Sequence, residues 1–179
     1  MKMSIREAIN QTLHQEMERD ERVIVLGEDV ASDQGGVYGI TDGLPAKFGL
    51  HRVIDTPITE SAIVGAAGGA ALTGLRPVAE LMFVDFLGVC LDQILNQIAK
   101  FRYMFGGQAR TPVVIRTMIG AGTGTGPQHS QILYPLLAAI PGIAANSGYR
   151  ICECCGPVPL PAPIIVRITT GVRACPPNM

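Results

Sequence analysis

The sequence has almost no net charge, no long apolar run and no cysteine framework. Its 14 Lys and Arg stand against 15 Asp and Glu, a formal net charge of -1. That balance gives no electrostatic basis for binding nucleic acid or an anionic membrane. No uncharged apolar stretch reaches the roughly 18 residues a spanning helix needs. The N-terminus, Met1 to Glu7, runs at once into charged helical sequence. It has neither the apolar block of a secretory signal nor the Arg- and Ser-rich make-up of a transit peptide, so a cytoplasmic protein is expected. Cys90 stands alone in the body, while Cys152, Cys154, Cys155 and Cys175 crowd the end. An odd total in a chain without a signal argues against structural disulfides.

Several site motifs are missing too. The glycine-rich stretch Gly120 to Gly126 lacks G-K-[ST], and no register of it fits G-x-G-x-x-G, so it is a poor triphosphate or dinucleotide cradle. No G-x-S-x-G marks a serine hydrolase. His14, His51 and His129 show no ligand spacing among themselves.

What is present suits one α/β domain. Apolar residues make up 47% of the 179, with 21 glycines. Ser4 and Glu7 form a capping box ahead of a helix with Ile5, Ala8, Ile9, Leu13 and Met17 on one face. Val23 to Leu26 reads as a buried strand, followed at once by the carboxylates Glu28 and Asp29. Glycines from 35 to 49 indicate a loop holding a short helix around Leu44 to Phe48. Pro77 to Phe83 is a further strand, turning at Val84-Asp85-Phe86 into a helix from Leu87 to Met104. Val113 to Arg116 is another strand, leading through the glycine-rich loop to His129 and a helix with Leu133, Leu136 and Leu137. Strand alternates with helix throughout, which predicts a doubly wound, mostly parallel sheet.

The stretch the chain is organised around is residues 53 to 69. A short strand, Val53-Ile54-Asp55, enters a turn fixed by Pro57. A helix of very small residues leaves it, and Glu60 stands between. Open α/β sheets collect ligands beyond the carboxyl ends of their strands, which is where Glu60 falls. An acid in a helix's first turn also has an ordinary reading, as complement to the helix dipole. His129, beside a glycine-rich loop at a strand end, is placed for proton transfer or is simply structural. Phe86 reads as core or as a cofactor wall.

In combination these segments resemble the pyrimidine-binding domain of the beta subunit of thiamine-diphosphate-dependent dehydrogenases. These are the first components of the acetoin, pyruvate and branched-chain 2-oxo acid complexes. The resemblance rests on Ile5 to Asn10, Leu26 to Val30, Ile54 to Glu60, Gly74 to Pro77, Asp92 to Ile94, Arg102 to Gly107 and Gln128 to Gln131, over residues 4 to 143. Residues 81 to 119 are most similar to acetoin dehydrogenase members. The resemblance implies a transketolase-like fold, with Glu60 hydrogen-bonding the pyrimidine ring nitrogen of thiamine diphosphate and favouring its imino tautomer. It implies Glu28 as a proton relay between paired active sites, and Phe86, Met82 and Ile58 against the pyrimidine. His129 is implied to face the substrate. The diphosphate and its Mg²⁺ would sit on an alpha subunit, in an assembly of two alpha and two beta subunits with a beta–beta contact that serves a lipoyl-bearing acyltransferase. No metal ligand is expected on this chain.

The resemblance stops near Ile143. From Ala144 the family's next strand, its potassium-binding turn and its carboxyl-terminal domain have no counterpart, and nine of the 13 prolines fall at or after Pro127. Such a tail is poorly suited to continuing a parallel sheet. Residues 1 to 143 are therefore expected to be a partial pyrimidine-binding domain, and 144 to 179 an aberrant Pro- and Cys-rich tail. A one-base frameshift explains the tail, because reading the codons from Asn146 to Gly156 one base later permits a family-like T-P-x-x-x-Y-A-N-A-A-G. The alternative, a soft-metal tail at Cys152, Cys154 and Cys155, lacks a second cluster at zinc spacing. The expected function is that of a dehydrogenase beta subunit, with an inactive truncated remnant as the alternative. A stand-alone nucleotide-binding module is a third reading, which the failed loop motifs disfavour.

Overall fold

The first helix, α1 (Ile5–Arg19), starts where the capping box places it. The Ser4 backbone N–H donates to Glu7 Oε2 at 2.8 Å, and the Glu7 N–H donates to Ser4 Oγ at 3.2 Å. The apolar face is buried only towards its end, at Leu13 and Met17, while Ile5 is exposed. In this computed structural model residues 3–120, 125–141, 143–147 and 162–168 are described, with 144–147 and 162–168 as backbone.

Six strands follow among the described residues: β1 (Val23–Gly27), β2 (Val53–Asp55), β3 (Arg76–Phe83), β4 (Val113–Ile119), β5 (Ile143–Ser147) and β6 (Ala162–Ile168). Their order is β2-β1-β3-β4-β6-β5. The first four are mutually parallel, as strands joined by helices must be when each crossover returns to the same edge. The carboxyl-terminal side of the sheet is completed differently. β6 runs antiparallel to β4, and β5 antiparallel to β6, so β5 points the same way as β1–β4 but pairs only with an antiparallel neighbour among the described residues.

Alternation along β1 divides two apolar layers. Ile24 and Leu26 face α3 (Glu60–Leu72) and the helical run after β3, while Val23 and Val25 face α1 and α2 (Leu44–Phe48). This is the doubly wound arrangement that the strand–helix rhythm predicts. The helix expected from Leu87 to Met104 is a continuous helical run that changes pitch. It comprises α4 (Leu87–Asp92), a π-helical stretch Gln93–Ile98 and α5 (Ala99–Met104). Glycines of α3 lie directly against both ends of the wider stretch. A Cβ on Gly65 would meet Gln93 Oε1 at 3.2 Å, and one on Gly68 would meet Ile98 Cγ1 at 2.8 Å. The small residues of α3 therefore make a tight seam within the chain. The opposite edge of α3, at Ala62, Ala66 and Gly69, is exposed. The last helix, α6 (Tyr134–Ala138), is a single turn that buries Leu137 alone. Among the described residues no helix is long and apolar enough to cross a membrane.

Candidate functional site

The parallel strands reverse direction of winding between β1 and β3. From β1 the chain crosses outward to β2, and from β3 it crosses the other way to β4. The crevice beyond the carboxyl ends of β1 and β3 is thus the topological switch point, where open α/β sheets bind ligands.

Glu28 follows β1 directly. The next residue, Asp29, is the one non-glycine among the described residues with positive φ, at 59°. Asp tolerates that left-handed conformation better than most residues, and here it turns the chain sharply away from the strand. Glu28 is half-buried, and burial raises its carboxyl above the usual range. The neighbouring carboxylates of Asp29, Glu60 and Asp55 push it further the same way. Glu60 and Glu28, 32 positions apart in the sequence, are thereby close enough to feel each other.

 Two backbone and side-chain links hold Glu60 in this place. The Thr56 N–H donates to Gly27 O at 3.0 Å, which pins the Pro57 turn to the end of β1. Ser61 Oγ donates to Val89 O at 2.6 Å, which pins the start of α3 to α4. Glu60 itself is half-buried, and its carboxylate makes no ion pair or hydrogen bond among the described residues. Ile58, in the turn before it, is exposed.

The other predicted residues gather at the end of β3. The pairing of β3 with β4 slips between Leu81, opposite Thr117, and Phe83, opposite Met118. Met82 is the extra residue of this irregularity, a device that re-aims side chains next to sites. It lines a small cavity of about 10 Å³ with Glu28, Tyr38, Glu80 and Arg116, room for about one water molecule. From there an aromatic series continues. Tyr38 meets Phe83 edge-on at 6.3 Å, Phe83 meets Phe86 edge-on at 6.2 Å, and the His129 ring stacks on Phe83 at 4.8 Å and abuts Phe86 at 5.4 Å. Glu28 and Met82 thus share one hollow, Phe86 and His129 share one cluster, and Tyr38 and Phe83 join the two. Ile58 lies apart on its exposed turn.

Beneath the crevice lies a buried ion pair between Arg116 and Glu80, which are register partners on adjacent strands. Burial lowers the Arg116 guanidinium to about 9, which leaves it charged at neutral pH. The same sheet row explains Gly27, where a Cβ would meet Glu80 Cβ at 2.5 Å. Neither member of this pair, nor Phe83 or Tyr38, stands out in the sequence reading. The available signal is one acid inside β3 and one base inside β4, both largely apolar strands.

A cleft of about 490 Å³ lies alongside, between α1 and the 34–40 loop, and is lined by Arg6, Tyr38, Ile40 and Met118. It touches neither Glu60 nor His129. The chemistry-bearing residues therefore lie along an open-sided crevice, and the switch-point argument locates them better than cavity size does. Among the described residues no group of three His, Cys, Asp or Glu is arranged to hold a metal ion. The cysteines at 152, 154, 155 and 175, and residues 121–124 of the glycine-rich loop, lie outside the described residues.

These features define a doubly wound α/β domain with acids and aromatics ranged along its switch-point crevice. Residues 1–160 match the pyrimidine-binding domain of transketolase, and the chain belongs to that family. It is 59% identical over 151 residues to the acetoin:2,6-dichlorophenolindophenol oxidoreductase subunit beta of Cupriavidus necator, covering 79% of this chain and 44% of that protein. The subunit of the same name from Bacillus subtilis is 51% identical over 152 residues, with the same two coverages. The pyruvate dehydrogenase E1 component subunit beta of Rickettsia bellii is 45% identical over 149 residues, covering 83% and 46%. Among solved structures, a split-gene transketolase described as an inactive beta4 tetramer matches with a TM-score of 0.58 at 24% identity, over 79% of this chain and 41% of that one. That last likeness concerns the fold alone. The chain spans less than half the length of these relatives.

Proposed function

We propose that this chain forms the pyrimidine side of a thiamine diphosphate site in the beta subunit of a thiamine-dependent dehydrogenase. Acetoin is the favoured substrate, with pyruvate or another 2-oxo acid next, in keeping with the higher identities to the acetoin proteins. The observation that carries the reading is the position of Glu60. It is a half-buried carboxylate without an ion-pair partner among the described residues, at the switch-point edge of the sheet and within electrostatic reach of Glu28.

The residues present fit the coenzyme's pyrimidine. A carboxylate with no competing cation is free to hold a proton on a heterocyclic ring nitrogen. Glu28, raised by burial and by its acidic neighbours, keeps a proton to higher pH than an ordinary glutamate and so suits a relay. Phe86 and Met82 supply apolar walls, and Ile58, exposed on its turn, is available to a group arriving from outside the chain. His129 is held between Phe83 and Phe86 with a ring nitrogen for the substrate. When bound, the coenzyme supplies the electron sink for breaking a bond beside a carbonyl.

Mg²⁺ and the diphosphate fall to an alpha subunit, in a heterotetramer of two alpha and two beta subunits that passes its product to a lipoyl-bearing acyltransferase. The exposed small residues of α3 suit a close-packed subunit contact. The family's potassium turn has no counterpart after Ile143. Residues 1–143 are taken as the partial domain and 144–179 as a frameshifted tail, which sequencing the gene tests: a family-like second frame supports it, and an interrupted one removes it.

The second reading is an inactive remnant that does not assemble. Mixing the chain with a matching alpha subunit separates the two. Co-elution and thiamine-dependent turnover, reduced about 10²–10⁴-fold in Glu60→Gln, are expected of the enzyme subunit. A folded chain that binds no alpha subunit identifies the remnant.

A further inference from the structure

Two single-turn helices meet over the crevice. One is Val84–Phe86, directly after β3, and the other is Pro127–His129. The Gln131 N–H donates to Asp85 Oδ1 at 3.2 Å and ties the two together. Asp85 lies between Phe83 and Phe86, the two residues whose rings enclose the His129 imidazole.

Each turn carries one buried polar atom without a partner among the described residues: Asp85 Oδ2 and His129 Nδ1. The first is an acceptor. The second donates in one of the two neutral tautomers of imidazole and accepts in the other. Leaving either unpaired costs about 1–3 kcal/mol, and one water that accepts from the ring N–H and donates to the carboxylate satisfies both. The hydroxyl beside them is already committed, since Ser130 Oγ donates to Gly126 O at 2.7 Å.

We propose that Asp85 is the positioning residue for His129. One bridging water accepts the proton carried on Nδ1 and donates to Oδ2, which fixes the neutral ring in the Nδ1–H tautomer. Nε2 is then the nitrogen left to accept a proton or hydrogen bond. The tautomer rests on the geometry of the two turns; its use towards a substrate rests on the function proposed above. A carboxylate that fixes an imidazole tautomer in this manner changes what the ring can do without touching the reacting atoms.

Long-range ¹H–¹⁵N correlation spectra of the full chain, labelled at histidine, test this in mildly alkaline buffer, above the ordinary imidazole range. There are three histidines to assign, and His129→Asn identifies its own signals by their loss. The expected result is a pyrrole-type Nδ1 and a pyridine-type Nε2 at His129. Asp85→Asn, which keeps an oxygen for the Gln131 N–H, is expected to lose that pattern. An Nε2–H tautomer in the native chain overturns the proposal, as does an Nδ1–H tautomer that persists in Asp85→Asn. If Asp85→Asn does not fold, the native spectrum still decides the tautomer, and Asp85→Ser removes the carboxylate by a second route. No coenzyme or alpha subunit is needed, so this outcome is independent of whether the chain assembles into a thiamine enzyme.

Discussion

The two faces of the sheet are built to different rules. Against α3 and the helical run after β3 the packing is predominantly apolar, with Ile24, Leu26, Ala79, Leu81, Val113 and Ile115 meeting Ile63, Val64, Ala67, Leu87, Ile94 and Ile98. The face towards α1 has a smaller apolar cluster and carries, in the same strands, the buried Glu80–Arg116 pair. It is also the face bordered by both cavities. Burying two charges is rarely the most stable solution, because desolvation offsets most of their attraction. The difference teaches that stability is concentrated on one face, while the other gives some of it up for polar groups under the crevice.

The largest effect that tests this contrast comes from Arg116. Removing one partner of a buried pair strands the other charge, so Arg116→Met is expected to destabilise by about 3–5 kcal/mol in denaturant unfolding. Replacing both, as Glu80→Leu with Arg116→Met, is expected to recover most of that loss. A double variant as unstable as the single one would mean that the pair is needed for folding, and the contrast between the faces would break. The next effect lies on the apolar face, in two adjacent glycines. Gly68→Ala drives a methyl into Ile98, which is fully buried, and overpacking of about 1–3 kcal/mol outweighs the roughly 1 kcal/mol helix gain. At Gly69 a Cβ meets nothing within 4 Å, so Gly69→Ala is expected to stabilise the isolated chain by up to about 1 kcal/mol. Equal behaviour of the two variants in thermal melts would remove the claim that this seam is closed to added volume.

Much of this architecture is legible in the residues. The Ser4–Glu7 box starts α1, the four parallel strands fall where short apolar runs lie between helical periods, and Glu60 sits beyond a strand end as its place after Val53-Ile54-Asp55 implies. Features that depend on register are not legible. The slip that frees Met82 is a property of two strands together, and nothing in Leu81-Met82-Phe83 alone announces it. Phe83 reads as one more strand residue, yet its ring stacks on His129, 46 positions further on. The π-helical stretch is equally hidden, because its apolar spacing at Ile94 and Ile98 also fits an ordinary helix. The antiparallel β6 against β4 is a tertiary outcome that local sequence does not specify.

The smallest effect concerns Glu28, and its sign is diagnostic. Burial, then the charges of Asp29, Glu60 and Asp55, raise its carboxyl above the value it has in the unfolded chain. Between those two values the folded state binds more protons than the unfolded one, so stability falls as pH rises through that window. Below it the glutamate is protonated in both states and costs nothing; above it the full penalty is present. Glu28→Gln removes the titration, so the variant is expected to gain slightly on the native protein above the window and to match it in acid. Exposure of part of the side chain screens the effect and keeps it small. Melting curves of the two proteins across the acid-to-neutral range measure the difference directly. A gap that opens towards acid instead would mean that Glu28 is held ionised by an attractive partner, and the acidic half of the crevice would need a different account from the one given by its neighbours.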